Sequence, residues 1–418
     1  MPSNSLRILA TGMGWPSLQP GGLNTYFKSI CEHLSADHDL HALICTKDKP
    51  QVQEGMLVTN LADPQTSIGK RREVFRQHAA RMLDEQKFDV VYSHFAPYGI
   101  GVAMEAKKRN VPVVMAFHGP WSEEIQVEGG GIKHRMKAWI ARRIELKAYS
   151  LADAFIVLSE TFRDILHHHY QVPLHKIHII AGAADTARFQ PSIDPIAVRD
   201  QLGLAQDSIT VLTVRRLVKR MGLLQLLDAW QEVVKQAPSS MLLIGGKGPL
   251  KEELEKRIIE YGLQDHVRML GYVSDQDLPR YYQAADLFVV PTQALEGFGL
   301  ITVEAMSSGL PVMATPIGGS REILEKFDSD MLFKSVESHD MASGMIRIIN
   351  NRERWPSAEQ CRSHILEYYT WEQVTKRVEA VFDKVTGQGS NVYGRDRLSW
   401  SPNGSKGGRD TNVKSRLY

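Results

Sequence analysis

Two glutamates eight positions apart, Glu296 and Glu304, are suited to hold two different hydroxyl-rich parts of one ligand. They lie in EGFGLITVEAMSSGLPV, which predicts a glycine-bearing loop followed by an amphipathic helix that stops at Gly309. Gly297 and Gly299 lack a β-carbon, so the loop backbone can approach a ligand closely. The first helical turn offers unpaired N–H groups to anionic or hydroxyl oxygens. Such a helix can also be purely structural, so the rest of the chain has to decide.

A basic loop is the second candidate, formed by Arg215, Arg216, Lys219 and Arg220. It follows a predicted strand over 210–214 and precedes a predicted helix. Ligands of parallel sheets bind at this carboxyl edge, so the cations face the expected crevice. Arginine can clamp two oxygens of a diphosphate and lysine supplies a point charge. The alternative is a solvated basic turn.

A glycine pair, Gly21-Gly22, stands at the head of a helix predicted over 23–34. Its backbone N–H groups and the positive end of the helix dipole suit a phosphate, although the pair can also be a simple turn. Gly12 and Gly14 lie nearby, but the third glycine of a dinucleotide-binding fingerprint is out of register. The pair therefore predicts a phosphate contact rather than a nicotinamide site.

His118 follows a predicted strand over 111–117 and could hydrogen-bond a sugar hydroxyl or a reacting group. A histidine at a strand end can equally be structural. Short acidic turns such as Asp37-His38-Asp39 do not follow suitable apolar strands, so no metal site is predicted.

A basic stretch over 133–147 combines cations with large apolar residues. The residues concerned are Arg142, Arg143, Lys147, Trp139, Ile140 and Ile144. The pattern is compatible with an anionic membrane surface or with a solvated helix face.

Composition limits the class of protein. The chain has 418 residues, which predicts two or three domains. A net charge of +2 gives no reason to expect nucleic acid as a partner. Three cysteines without ligand-like spacing predict a reducing, cytoplasmic compartment. No signal peptide and no apolar run of about 18 residues is recognised, so membrane contact would be peripheral.

Alternating strands and helices predict two α/β units, each with a parallel sheet covered on both faces. We expect an N-terminal domain over 1–187 and a second domain over 188–364, whose last strands are 312–315 and 331–333. A single helical segment follows over 365–386. The tail, 387–418, is rich in Gly, Ser, Asn and basic residues and is predicted to be disordered.

Together these stretches resemble the retaining glycosyltransferases of family 4, whose GT-B fold has two facing Rossmann-like domains. The resemblance implies that Glu296 contacts sugar hydroxyls of a nucleotide-diphosphate sugar and that Glu304 binds the ribose diol. It implies that Phe298, Gly299 and Leu300 offer backbone N–H groups to this donor.

The resemblance also implies that the Gly21-Gly22 loop approaches the diphosphate and that His118 faces the reacting sugar. The terminal helical segment would cross back to the first domain. One departure concerns the basic loop, where the family has Gly and Lys at the positions of Arg215 and Met221. Arg216 matches the family arginine.

A thioether cannot neutralise a leaving diphosphate, so Arg215, Lys219 or Arg220 would have to supply the second charge. We expect Arg216 and Lys219 to act in catalysis, together with Glu296 and His118. Arg215 and Arg220 would bind the donor.

The resemblance implies retaining transfer to a hydroxyl acceptor without metal or cofactor, in polysaccharide, glycolipid or glycoconjugate synthesis. The acceptor, a sugar, a lipid-linked molecule or another small molecule, would bind loops of the first domain over 95–99 and 121–131. The enzyme would be cytoplasmic, with a peripheral place at the inner membrane face as an option. Two alternatives remain: a non-catalytic sugar-nucleotide-binding partner of another transferase, and a nicotinamide-dependent enzyme.

Overall fold

The computed structural model describes residues 5–50 and 55–387. Its first part is a seven-stranded sheet with helices on both faces. The elements are β1 (Arg7–Thr11), α1 (Gly22–Leu34), β2 (Asp39–Cys45), β3 (Leu57–Ala62), α2 (Ile68–Glu85), β4 (Val90–Ser93), α3 (Ala96–Lys108), β5 (Val113–Phe117), α4 (Trp121–Glu128), α5 (Ile132–Tyr149), β6 (Ala154–Val157), α6 (Glu160–Tyr170) and β7 (Ile177–Ile179).

The second part repeats the plan with five strands. Its elements are α7 (Pro195–Gln201), β8 (Ile209–Val214), α8 (Leu223–Gln236), β9 (Ser240–Gly245), α9 (Lys251–Glu260), β10 (Val267–Gly271), α10 (Leu278–Ala284), β11 (Leu287–Val290), α11 (Leu300–Ser307), β12 (Val312–Ala314), α12 (Gly318–Phe327), α13 (Ser338–Ile349), α14 (Ala358–Tyr368) and α15 (Trp371–Thr386).

Both sheets are parallel throughout. Their central strands are apolar and buried between helices, whereas the edge strands β3, β7 and β10 are only partly buried. The strand orders are β3-β2-β1-β4-β5-β6-β7 and β10-β9-β8-β11-β12. Each order reverses at its centre, between β1 and β4 and between β8 and β11. Such a reversal opens a crevice at the carboxyl ends of the strands. The GT-B architecture predicted from the sequence is confirmed.

The last helix, α15, crosses back to the first sheet. Trp371 at its start packs against Tyr26 of α1, with ring centroids 5.3 Å apart. Phe382 near its end packs against Tyr92 of β4 at 5.1 Å. The crossing that the resemblance implied is therefore present, and it makes α15 part of the hydrophobic core that includes the first sheet.

Four local predictions were wrong. The residues 331–333 form no sheet strand: Asp328 caps a 3₁₀ turn over Ser329–Met331, and Leu332 makes only an isolated bridge to Ala314. The segment 365–386 is not one helix. The helical conformation is interrupted at Tyr369 and Thr370, where Thr370 forms an isolated β-bridge with Ala184.

The helix α11 is not amphipathic, since six of its eight residues are buried. The stretches 95–99 and 121–131, expected as loops, are largely the beginning of α3 and the whole of α4. The boundary expected near residue 187 lies in the connection between β7 and α7 and stays a prediction. The predicted disorder of the tail concerns residues that, apart from Gly387, lie outside those described. None of the described helices is both long and apolar enough to span a membrane.

Candidate functional site

The heads of two helices meet where the carboxyl edges of the sheets face each other. A β-carbon built on Gly22, the first residue of α1, would lie 3.6 Å from Cδ1 of Leu300, the first residue of α11. Gly21 and Gly299 precede these helices with φ angles of 151° and 84°, in the region that favours glycine. Two positive helix ends therefore converge on one place, which suits an anion.

Phe298 is buried beside this meeting point, and its ring comes within 2.7 Å of a β-carbon built on Gly182 of the first part. Gly182 thus makes room for the loop that carries Glu296. Phe298, Gly299 and Leu300 accordingly lie together where the two parts of the molecule meet. Their backbone contacts to a sugar donor stay a prediction.

Glu296 is held from two sides in the buried loop after β11. Nη2 of Arg215 donates to its Oε1 at 3.1 Å, and the Thr292 hydroxyl donates to its Oε2 at 2.7 Å. Burial lowers the pKa of Arg215 from its ordinary value, and the facing Glu296 carboxylate opposes that shift. Nη1 of Arg215 is buried and has no hydrogen-bond partner within the described residues. The structure thus places Arg215 on the glutamate expected to contact the sugar.

Arg220 joins the two parts of the molecule. Its Nε donates to Glu128 at 3.1 Å and its Nη2 to Glu124 at 3.3 Å, both on α4. Its Nη1 donates to the Leu295 carbonyl oxygen at 3.0 Å. Burial raises the pKa of Glu124, while Arg220 and Arg216 oppose the shift. Arg220 therefore links the basic loop to α4 through Glu124 and Glu128, and we call these two ion pairs the α4 clasp.

Arg216 and Lys219 project from the same loop into solvent. The Arg216 side chain is 58% exposed, and its nearest carboxylate, Glu128, is 4.0 Å away. Lys219 is exposed and forms no ion pair with any described residue. Met221, at the position of the family lysine, is buried. Of the four loop cations, Arg216 and Lys219 are therefore the two most accessible to an anionic ligand.

Glu304 lies on α11 with its carboxylate almost fully buried. The Tyr282 hydroxyl donates to its Oε2 at 3.3 Å. Burial raises the pKa of Glu304 to about 7, against the opposing charge of Arg188. The side chain therefore changes its charge near neutral pH, and an ionised form can accept two hydroxyl hydrogen bonds.

His118 follows β5 and is paired with a second histidine. Its Nε2 lies 3.0 Å from Nδ1 of His94, which follows β4. Burial lowers the pKa of His118 to about 3 and that of His94 well below its ordinary value. The ring of Tyr26 packs against His118 with centroids 5.1 Å apart. Both imidazoles are neutral at physiological pH, so His118 can make hydrogen bonds there but carries no positive charge.

Several contributing residues were missed by the sequence reasoning. They are Glu124, Glu128, Thr292, Tyr282 and His94. Of these residues, only Glu124 and Glu128 could have been found in the sequence. They are four positions apart in WSEEIQVE, which places both side chains on one face of a helix. Among the described residues, no group of three or more His, Cys, Asp or Glu side chains is arranged to hold a metal ion.

Comparison with known families decides the assignment. Residues 20–188 match the family described as Glycosyltransferase Family 4, and residues 196–365 match Glycosyl transferases group 1. Between them the two matches cover the second sheet and every strand of the first sheet except β1. The chain belongs to the family 4 type of GT-B glycosyltransferases. It is accordingly an enzyme of the glycosyltransferase class, and the alternatives of a nicotinamide-dependent enzyme and of a non-catalytic partner are not favoured.

Individual relatives of this glycosyltransferase are distant. The chain is 24% identical to D-inositol 3-phosphate glycosyltransferase of Jonesia denitrificans, over 88% of this chain and 93% of that protein. It is also 24% identical to the UDP-Gal:alpha-D-GlcNAc-diphosphoundecaprenol alpha-1,3-galactosyltransferase of Escherichia coli, over 72% of this chain and 76% of that one.

Among solved structures, Anabaena HepE in complex with UDP and glucose superimposes with a TM-score of 0.73. The match covers 90% of this chain and 99% of that chain at 20% identity. At this identity the likeness shows the GT-B fold of the glycosyltransferase and nothing more specific.

Proposed function

We propose that the enzyme is a retaining, metal-independent glycosyltransferase that moves a sugar from a nucleoside-diphosphate sugar to a hydroxyl acceptor. The observation that carries the proposal is the meeting of the α1 and α11 N-termini at Gly22 and Leu300. An anion bound there contacts both domains at once, and a diphosphate has the length and charge to do so.

The other donor contacts follow from this placement. Arg216 and Lys219 supply positive charge from the adjacent loop, since Arg220 is engaged in the α4 clasp and Arg215 on Glu296. Glu304 accepts hydrogen bonds from the ribose diol. Glu296 accepts them from sugar hydroxyls, with Arg215 and Thr292 fixing its orientation.

The reaction breaks the bond between the anomeric carbon and the donor phosphate oxygen and forms a bond from that carbon to the acceptor oxygen on the same face. The departing phosphate takes the proton of the acceptor hydroxyl. Negative charge grows on the diphosphate as the bond breaks, so the two helix ends, Arg216 and Lys219 stabilise the transition state. Neutral His118 contributes a hydrogen bond to the reacting sugar and no charge. Neither a metal nor a cofactor takes part in this scheme.

The acceptor is placed against the first domain, near the starts of α3 and α4. A lipid-linked acceptor is supported by the Escherichia coli relative, whose name specifies a diphosphoundecaprenol substrate. We place the enzyme in the cytoplasm, where its three cysteines, all free and buried, remain reduced. Polysaccharide, glycolipid or glycoconjugate synthesis is the corresponding process.

The test begins with a thermal-shift screen of UDP, GDP and ADP sugars, followed by mass detection of products on sugar and lipid-linked acceptors. Proton NMR of the first product, recorded before mutarotation, then compares the anomeric configuration of donor and product. Retention, with full activity in excess EDTA, is expected. Inversion or loss of activity with EDTA would refute the corresponding part of the proposal. Donor binding without turnover on any acceptor would favour the non-catalytic alternative.

A further inference from the structure

The outer face of α5 is unusually apolar for a surface helix. Five large hydrophobic side chains on this helix are exposed to solvent. They are Ile132 (79%), Met136 (60%), Trp139 (62%), Ile140 (48%) and Leu146 (41%). The opposite side is buried through Ala138, Ala141, Glu145, Ala148 and Tyr149. The helix therefore has an apolar inner side that packs on the domain and a second apolar strip that faces outward.

The same outward face is strongly basic. Its cations are Lys133, Arg135, Lys137, Arg143 and Lys147, all exposed, and none forms an ion pair with a described residue. The guanidinium of Arg143 lies 5.5 Å from the ring centroid of Trp139. The one acidic residue of the helix, Glu145, is turned inward and accepts a hydrogen bond from Tyr170. An ordinary solvated helix face carries charges of both signs and few large apolar groups. This face instead combines cations alone with large apolar side chains.

Arg142 does not belong to this surface. It contacts the His169 carbonyl oxygen, and its guanidinium lies 3.8 Å from the centroid of the Tyr170 ring. It therefore fastens α5 to α6, and the helix is presented on a fixed support. The outer α5 face is defined here by the exposed apolar residues and cations of this helix, which are Ile132, Met136, Trp139, Ile140, Leu146, Lys133, Arg135, Lys137, Arg143 and Lys147.

We propose that the outer α5 face docks on an anionic lipid bilayer, with Trp139 and its apolar neighbours at headgroup level and the cations against lipid phosphates. Apolar groups beside unpaired cations complement a surface that is anionic outside and hydrocarbon beneath. A second copy of the chain is a poor occupant, because a twofold contact through this face would bring like charges together. A nucleic acid would satisfy the cations but leave Ile132, Met136 and Ile140 without an apolar partner.

Docking would set the first domain against the membrane, and α5 packs directly on α4, which carries the clasp to the basic loop. If the acceptor is lipid-linked, as in the proposed function, this orientation brings the acceptor side of the cleft to the lipid. Vesicle binding itself does not depend on transfer, so each proposal can fail without the other.

The test is co-sedimentation of the full chain with vesicles of equimolar phosphatidylcholine and phosphatidylglycerol, beside vesicles of phosphatidylcholine alone. Wild type is expected to bind the anionic vesicles and to lose this binding in high salt. The double variant Trp139→Ser, Ile140→Ser should bind at least about tenfold more weakly, and Arg135→Glu, Lys137→Glu about as weakly. The control is Ile259→Ser on α9, which removes an equally exposed apolar residue and should bind like wild type.

Far-UV circular dichroism and an unchanged melting temperature show that each variant is folded. Equal binding to both vesicle types, no binding to either, or unchanged binding by the Trp139 and Ile140 variant would overturn the proposal. So would a wild-type dimer that the same variant makes monomeric, or RNA binding as tight as vesicle binding.

Discussion

The guanidinium of Arg215 bonds the carboxylate of Glu296 at 3.1 Å, and both side chains are buried. The family pattern has a glycine where Arg215 stands, so this chain carries an internal cation next to the glutamate assigned to the sugar. Breaking a buried pair leaves the remaining charge without compensation.

Replacing Arg215 by Met should therefore destabilise the second domain by about 3 kcal/mol or more, measured from its urea-unfolding transition. The double variant Arg215→Met, Glu296→Gln removes both charges and should recover part of that loss. If the single variant is as stable as wild type, the pair does not contribute as described.

Arg216→Ala should lower kcat by about 10²- to 10³-fold, because the variant loses a cationic hydrogen-bond donor for the negative charge that develops on the diphosphate. Its side chain is exposed, so the melting temperature should not change. Lys219→Ala tests the second cation, and Arg268→Ala on β10 is the matched control for an exposed arginine. Near-normal turnover by Arg216→Ala would remove the assigned role.

Glu304 should make stability depend on pH. Its pKa is raised from 4.5 to about 7, so the folded protein keeps a proton that the unfolded chain releases above 4.5. Stability from this group is thus fully present below pH 4.5 and is lost as pH rises to about 7, in total about 3 kcal/mol. Urea unfolding of wild type and Glu304→Gln across this window should diverge by that amount. Parallel curves would contradict the buried, protonated carboxyl.

The α4 clasp places a carboxylate beside the cations that are to hold the diphosphate. Glu128→Gln keeps a hydrogen-bond acceptor for Arg220 but removes the charge, which should tighten binding of a nucleoside diphosphate about fivefold. Calorimetric titration with the nucleotide that binds wild type measures this. Glu123→Gln, on the same helix but paired with Arg142 and His169, should leave affinity unchanged. Weaker binding by Glu128→Gln would mean that the clasp supports the donor site instead.

Trp371 is the buried anchor of α15. Its replacement by Ala should cost about 3 to 5 kcal/mol, because the ring packs on Tyr26 and His33 of α1. The loss should appear in the unfolding of the first domain. Leu366→Ala, on the exposed side of α14, is the control and should unfold like wild type.

The sequence predicted the fold where a pattern was long and regular. Successive apolar strands and glycine-headed helices indicated two parallel sheets, and these are present. The edge strand β3 was missed because none of its six residues is fully buried, so it lacks a strong apolar signal. The strand expected at 331–333 was a wrong prediction for the opposite reason. Its three residues are apolar and suggested a strand, but the preceding Asp328 caps a 3₁₀ turn that includes Met331.

At the site, local motifs located the loops but could not assign partners. Arg215 and Arg220 looked like equivalent donor ligands in the sequence, whereas the partner of Arg215 lies 81 positions away and those of Arg220 lie 75 or more positions away. Which of four neighbouring cations points to solvent depends on the packing of β8 against β11 and on α4. Those long-range contacts leave no trace in the spacing of the basic loop.

The crossing of α15 also fixes an order of events during synthesis. The last strand of the first sheet ends at Ile179, but the helix that covers Tyr26 and Tyr92 begins only at Trp371. At about 5 to 20 residues per second, a ribosome takes roughly ten to forty seconds to supply it. During that time the first sheet lacks the helix that covers Tyr26 and Tyr92. The exposed aromatic surface is a natural target for chaperones. A message cut short before α15 would yield a protein with that surface permanently exposed.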